Sequence, residues 1–237
     1  PPAAAAGWTV KENQNWKAID TSNLAVLPES ALDMSFLLDH CPAGKFGRVV
    51  ATPDGRLEFA DRPGKEVRFF CCNTEMRCLL GYRFPNKEDI AKFASMARVQ
   101  GYNLVRIMGL SDYLTYQSDQ DEAFSPEALD HFEYLVHCLK ENGIYIHLDI
   151  ASFYRAFHKY DPQKKAEINI KQLIFYDSEA RHHWLEGFCK VMLHKNPYTH
   201  LRLVDDPVLA LVLFFNEQSI RLKKGENLPG FLPVWRN

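Results

Sequence analysis

The chain has 237 residues, enough for one large domain or two small ones. It is 46% hydrophobic and 24% charged, which excludes a disordered, collagen-like or coiled-coil protein. Lys and Arg total 28 against 30 Asp and Glu, a formal net charge of -2, so no basic excess points to nucleic acid or an anionic membrane surface. No apolar run approaches the ~20 residues of a membrane-spanning helix. Aromatic residues make up 13% of the chain and suit either a large core or a lined groove.

The N-terminus, Pro1 to Gly7, is rich in Ala and Pro and carries no charge. It fits either the remnant of a cleaved signal peptide or a disordered tail. Residues 8–65 hold many turn residues (Pro42, Gly44, Gly47, Pro53-Asp54-Gly55, Pro63-Gly64) and no long helical period. Arg48 to Ala51 and Leu57 to Phe59, joined by Pro53-Asp54-Gly55, read as a hairpin in a β-rich lead-in. The six cysteines, Cys41, Cys71, Cys72, Cys78, Cys138 and Cys189, form no CxxC pair and are expected mostly as small buried side chains.

From residue 66 the pattern alternates strand and helix. Strands are predicted at 67–72, 103–108, 144–150 and 209–215. Helices are predicted from Asn86 as cap to Gln100, from Ser125-Pro126 to Gly143, and from Asp177-Ser178 to about His194. Strands separated by helices imply a parallel sheet in an α/β fold. The third connection carries a long loop, Ala151 to Tyr176, with Phe153, Tyr154, Phe157, Tyr160, Phe175 and Tyr176. These aromatics suit either stacking on a ligand or ordinary surface packing. No Gly-rich phosphate-binding motif follows a strand, so neither a dinucleotide nor a nucleotide cofactor is expected.

Polar residues interrupt the apolar strands in a few places. In the third strand Ile144, Ile146, Leu148 and Ile150 share one face, and Tyr145, His147 and Asp149 the other. Asp149, near the C-terminal end, suits a pocket or a structural hydrogen bond. His147, one layer deeper, reads as a core histidine. Arg106 in the second strand is either one half of a buried ion pair or the group that orients a catalytic carboxylate. The fourth strand, Leu209 to Phe215, reads as fully buried and ends in Asn216-Glu217-Gln218. An amide there can bind a substrate hydroxyl, and a carboxylic acid can donate a proton to a leaving oxygen.

Several separated motifs occur together: Ala31-Leu32-Asp33-Met34-Ser35, Pro42-Ala43-Gly44-Lys45, Val67-Arg68-Phe69-Phe70 with Asn73, Gly101-Tyr102-Asn103-Leu104-Val105-Arg106 and Leu139 to Tyr145. They continue with Asn196-Pro197-Tyr198-Thr199, Leu201-Arg202, Asp205-Asp206-Pro207 to Val212, and Asn216-Glu217. In this order they resemble the clan-A glycoside hydrolases, in the cellulase-like branch related to family 5. The resemblance implies a (β/α)8 TIM barrel preceded by a β-rich segment over residues 1–65, with residues 66–237 as the N-terminal half of the barrel. It implies retaining hydrolysis of β-linked glycans, with Glu217 as general acid/base and Asn216 and Arg106 binding substrate, alongside Asp149 from the strand pattern. No cofactor or metal is implied. The expected partner is an oligo- or polysaccharide, and the expected location is secreted or periplasmic. The chain departs from the pattern at Ile107-Met108-Gly109-Leu110 and at Ala151, where relatives often carry histidines. The 20 residues after Glu217 leave no room for four more βα units of ~30 residues each, so the catalytic nucleophile is expected outside this chain. A carbohydrate-binding pseudoenzyme is the alternative. A metal-dependent barrel enzyme ranks below both, because His131, His137, His147 and His182-His183 lack ligand spacing.

Overall fold

A computed structural model describes residues 11–17, 26–38, 41–76, 86–115, 123–150, 174–175 and 177–217. The expectations for Pro1 to Gly7, for Cys78, for Gln218, and for Phe153, Tyr154, Phe157, Tyr160 and Tyr176 lie outside the described residues. Strands β1 (Val49–Ala51), β2 (Leu57–Phe59) and β3 (Arg62–Glu66) form a small antiparallel sheet in that order. The hairpin expected from Pro53-Asp54-Gly55 is present, with Val49 opposite Phe59 and Ala51 opposite Leu57. Strand β3 runs through Pro63-Gly64, which the sequence reading took as a turn. Proline, lacking an N–H, is tolerated at a sheet edge, and the Gly64 N–H donates instead to Glu58 Oε2 at 2.8 Å.

Strands β4 (Cys71–Glu75), β5 (Leu104–Met108), β6 (Tyr145–Asp149) and β7 (Leu209–Leu213) form a second sheet in sequential order, every neighbouring pair parallel. Helices α1 (Lys87–Val99), α2 (Leu110–Leu114), α3 (Pro126–Glu141) and α4 (Ser178–Leu193) lie between them in sequence. Three helices start where the caps predict. Asn86 Oδ1 accepts from the Asp89 N–H at 2.8 Å, Ser125 Oγ from Ala128 at 3.3 Å, and Asp177 Oδ1 from Glu179 and Ala180 at 2.8 and 3.3 Å.

The first parallel strand is shifted from the predicted 67–72 to Cys71–Glu75. The Asn103 side chain explains the shift. It accepts from the Phe70 N–H at 2.7 Å and donates to the Arg68 carbonyl at 2.9 Å, so residues 68–70 cross the foot of β5 before pairing begins at Cys71 opposite Leu104. The apolar run there serves a different purpose: Phe70 stacks on Tyr102 at 4.6 Å and Phe69 meets Tyr145 edge-on at 5.8 Å. The cysteine expectation also fails in part. Among the described residues Cys138 is buried, whereas Cys71 is exposed and Cys41, Cys72 and Cys189 are half-buried.

Register divides the parallel sheet into two faces. Val105, Ile107, Ile146 and Leu148 share one face, are fully buried, and join Ile90, Ala94, Leu135 and Leu139 of α1 and α3 in the core. The opposite, inner face carries Cys71, Asn73 and Glu75, then Leu104, Arg106 and Met108, then Tyr145, His147 and Asp149, then Leu211 and Leu213. Strand β7, expected to be fully buried, is half-buried along its whole length, because among the described residues it has a strand partner only on its β6 side.

The N-terminal ends of the strands are closed by the small sheet. Tyr145 is fully buried; its ring stacks on Phe59 at 5.1 Å and its hydroxyl accepts from the Gly44 N–H at 2.9 Å. The Ala43 N–H donates to the Lys140 carbonyl at 2.8 Å, and Arg48 Nη2 to the Val204 carbonyl at 2.6 Å. Lys140 Nζ meets both carboxylate oxygens of buried Asp206, at 3.0 and 2.9 Å, tying the end of α3 to the start of β7. The C-terminal ends are thus the face on which a parallel α/β sheet presents a site.

Gly44 holds this closure at φ 90, where an added Cβ would lie 2.4 Å from Pro207 Cγ. Gly44→Ala is expected to destabilise the fold by about 2 kcal/mol or more. The expected signature in urea is a lower unfolding midpoint with an unchanged slope.

Candidate active site

The inner face becomes more polar toward the C-terminal ends of the strands. Arg106, in the middle of β5, pairs in register with Asn73 on one side and His147 on the other. Asp149 lies two residues further along β6, on the same face and nearer the C-terminal end. Asn216 follows β7 by three residues.

One nitrogen of Arg106 joins these elements. Nη2 donates to Asp149 Oδ2 at 2.5 Å and to Asn216 Oδ1 at 2.7 Å. An Nη carries two hydrogens, so both are used, one toward β6 and one toward the tip of β7. The Arg106 side chain is 20% exposed and that of Asp149 is 0% exposed. The Arg106 Nε is buried and has no hydrogen-bond partner among the described residues.

Asn216 is held from the outer side as well. The residues before it, Phe214 and Phe215, pack on Trp184 of α4 with ring separations of 6.0 and 4.8 Å, and Trp184 stacks on Phe188 at 5.4 Å. Glu217 then takes a left-handed backbone conformation, φ 50, and its side chain is exposed. Such a conformation is uncommon for a residue with a Cβ and costs about 1 kcal/mol or more. Here it marks the turn out of the strand tip.

Of the four residues singled out from sequence, Arg106, Asp149 and Asn216 are joined by direct hydrogen bonds. Glu217 is the next residue along the chain. Asp149 meets the guanidinium in the ion pair that is one of the two sequence readings of Arg106. Glu75, which the sequence offers with Asp149 and Asp112 as a carboxylate that could stand near Glu217, takes a defined place at the strand ends. With the strand shifted to 71–75, it is the last residue of β4, and an added Cβ on Gly109 would lie 3.1 Å from its Cγ. The glycine at Gly109 therefore leaves room for the Glu75 side chain over the end of β5. The Met108-Gly109 pair, a departure from relatives that often carry histidines there, is where this room is made.

His147 is half-buried beside this cluster. Burial, and then the Arg106 guanidinium, push it below the usual histidine range, with Asp149 acting in the opposite sense. Burial lowers His131 likewise. The unfolded chain therefore binds more protons than the folded one below about pH 6.5. Stability contributed by neutral His147 is fully present above that pH and is lost as pH falls toward its lowered folded value. Urea midpoints are expected to fall on acidification through this window, and His147→Gln is expected to make the fall shallower. An equally steep fall in the variant would assign the effect elsewhere.

The sequence matches no protein-family model and no curated protein. The fold matches solved structures. One is an endo-1,4-beta-mannanase from Rhizomucor miehei, with TM-score 0.54 and 15% identity over 72% of this chain and 48% of that one. Another is a mutant family 5 mannosidase from Rhizomucor miehei in complex with mannosyl-fructose, with TM-score 0.57 and 16% identity over 73% of this chain and 49% of that one. The unmutated mannosidase aligns with TM-score 0.52 at 16% identity. The chain spans about half the length of these structures. It shares with them the α/β architecture of about half a glycoside hydrolase family 5 barrel.

Proposed function

We propose that this chain forms the acid/base half of a glycoside hydrolase that cleaves β-linked glycans with retention of configuration. The observation that carries the reading is the Arg106 bridge to Asn216. It fixes the tip of β7, and with it Glu217, at the C-terminal end of a parallel sheet. The similarity of the fold to a β-mannanase and a family 5 mannosidase supports the chemistry and makes β-mannan and β-glucan the first glycans to try.

In this reading Glu217 protonates the glycosidic oxygen as the bond breaks and later takes a proton from the attacking water. The Asn216 Oδ1 accepts from Arg106, so in this reading its Nδ2 faces the sugar and donates to a hydroxyl when substrate binds. In this reading the nucleophile is supplied from outside the described residues. A retaining pair needs carboxyl groups about 5–5.5 Å apart, and Asp149 is fully buried in its ion pair with Arg106. A secreted or periplasmic location suits such a substrate. The departures at Met108 and Ala151 favour a second reading, a carbohydrate-binding protein without turnover.

Kinetics on the full-length gene product separate the two. Hydrolysis of an unactivated β-linked oligosaccharide is expected, with the anomeric configuration retained by NMR. Glu217→Gln is expected to lower kcat by ~10²-fold or more, because the amide cannot donate a proton. Glycan binding without turnover in the unmutated protein would establish the binding reading. A wild-type rate in Glu217→Gln would remove Glu217 from the acid role.

A further inference from the structure

We propose that Asp149 is a positioning residue, not a sugar ligand: it holds Arg106 so that the guanidinium sets Asn216, and through it Glu217, at the strand tip. This rests on the acid/base role of Glu217 proposed above. Three observations lead to it. Asp149 is fully buried, so it meets a guanidinium rather than a ligand. Its Oδ2 lies 2.5 Å from the same Nη2 that reaches Asn216 at 2.7 Å. And the segment that Asn216 anchors carries the left-handed Glu217 backbone, a conformation that persists only where its surroundings impose it.

The geometry makes the two bonds interdependent. The planar guanidinium directs its two Nη2 hydrogens about 120° apart, so fixing one on Asp149 fixes the direction of the other. An arginine without a buried counter-charge would keep its reach but lose this orientation, and its charge would turn toward the exposed carboxylate of Glu217. A buried ion pair contributes little net stability relative to apolar residues of the same volume. Its consequence here is direction: β5, β6 and the tip of β7 are joined through a single nitrogen.

The test uses the full-length gene product and two substrates of the same sugar, one with an unactivated leaving group and one a dinitrophenyl glycoside. The dinitrophenolate departs without a proton, so only the first substrate needs a well-placed acid. Asp149→Asn is expected to lower kcat/KM by ~10²-fold on the unactivated substrate and by less than about 5-fold on the dinitrophenyl glycoside. A crystal structure of the variant should show Asn216 Oδ1 beyond hydrogen-bond reach of Arg106, more than about 3.5 Å away. Equal losses on both substrates, or no loss, would overturn the proposal. Should Asp149→Asn not fold, Arg106→Lys keeps the charge pair but loses the planar fork, and must show the same selectivity. If Glu217→Gln shows no dependence on the leaving group, the acid assignment fails. The crystal structure then decides the positioning role alone, and Asn216 unmoved would reject it.

Discussion

The candidate site depends on one nitrogen, Arg106 Nη2, which reaches Asp149 on β6 and Asn216 beyond β7 from the middle of β5. A charged side chain on the inner face of a sheet is costly unless it is paired and hydrogen-bonded. The buried carboxylate of Asp149 meets that requirement on one side. The amide of Asn216 meets it at the strand tip without adding a second negative charge. This is why Asn, rather than Asp, suits the position before Glu217: a further carboxylate there would compete for the guanidinium and crowd three anions into one cleft.

The rest of the described fold keeps that nitrogen in place. Below it, Tyr145 on Phe59 and Gly44 against Pro207 close the N-terminal ends of the strands. The Lys140–Asp206 pair fixes where β7 begins. At the other end Trp184 packs on Phe214 and Phe215, so β7 is held at both ends although its flank is only half-buried. The site is therefore built at the C-terminal edge of a sheet whose opposite edge is shut, as the general rule for parallel α/β sheets requires.

Much of this was legible in the sequence where a local rule fixes it. Asn86, Ser125-Pro126 and Asp177 started their helices because capping is a matter of one side chain and one or two N–H groups. The Pro53-Asp54-Gly55 turn set its hairpin for the same reason. Arg106 and Asp149 stood out because ionisable residues interrupt apolar strands only where something partners them. What could not be read was what depended on contacts across the sheet. The run Val67 to Phe70 looks like a strand in isolation, yet Asn103, more than thirty residues away, clamps it and moves the pairing to Cys71–Glu75. That displacement also makes Glu75 the last residue of β4. The edge strand through Pro63-Gly64 and the single turn of α2 were missed because each is stabilised by its surroundings rather than by propensity.

A crystal structure of the full-length protein with a β-linked oligosaccharide, bound to the Glu217→Gln variant, tests the central claim most directly. The account predicts the Asn216 amide nitrogen donating to a hydroxyl of the sugar on the cleaved side. It also places the residue 217 side chain about 3 Å from the glycosidic oxygen, with Arg106 still joined to Asp149. A sugar seated away from the C-terminal ends of β5–β7, or one contacting Asp149 directly with Arg106 displaced, would contradict it.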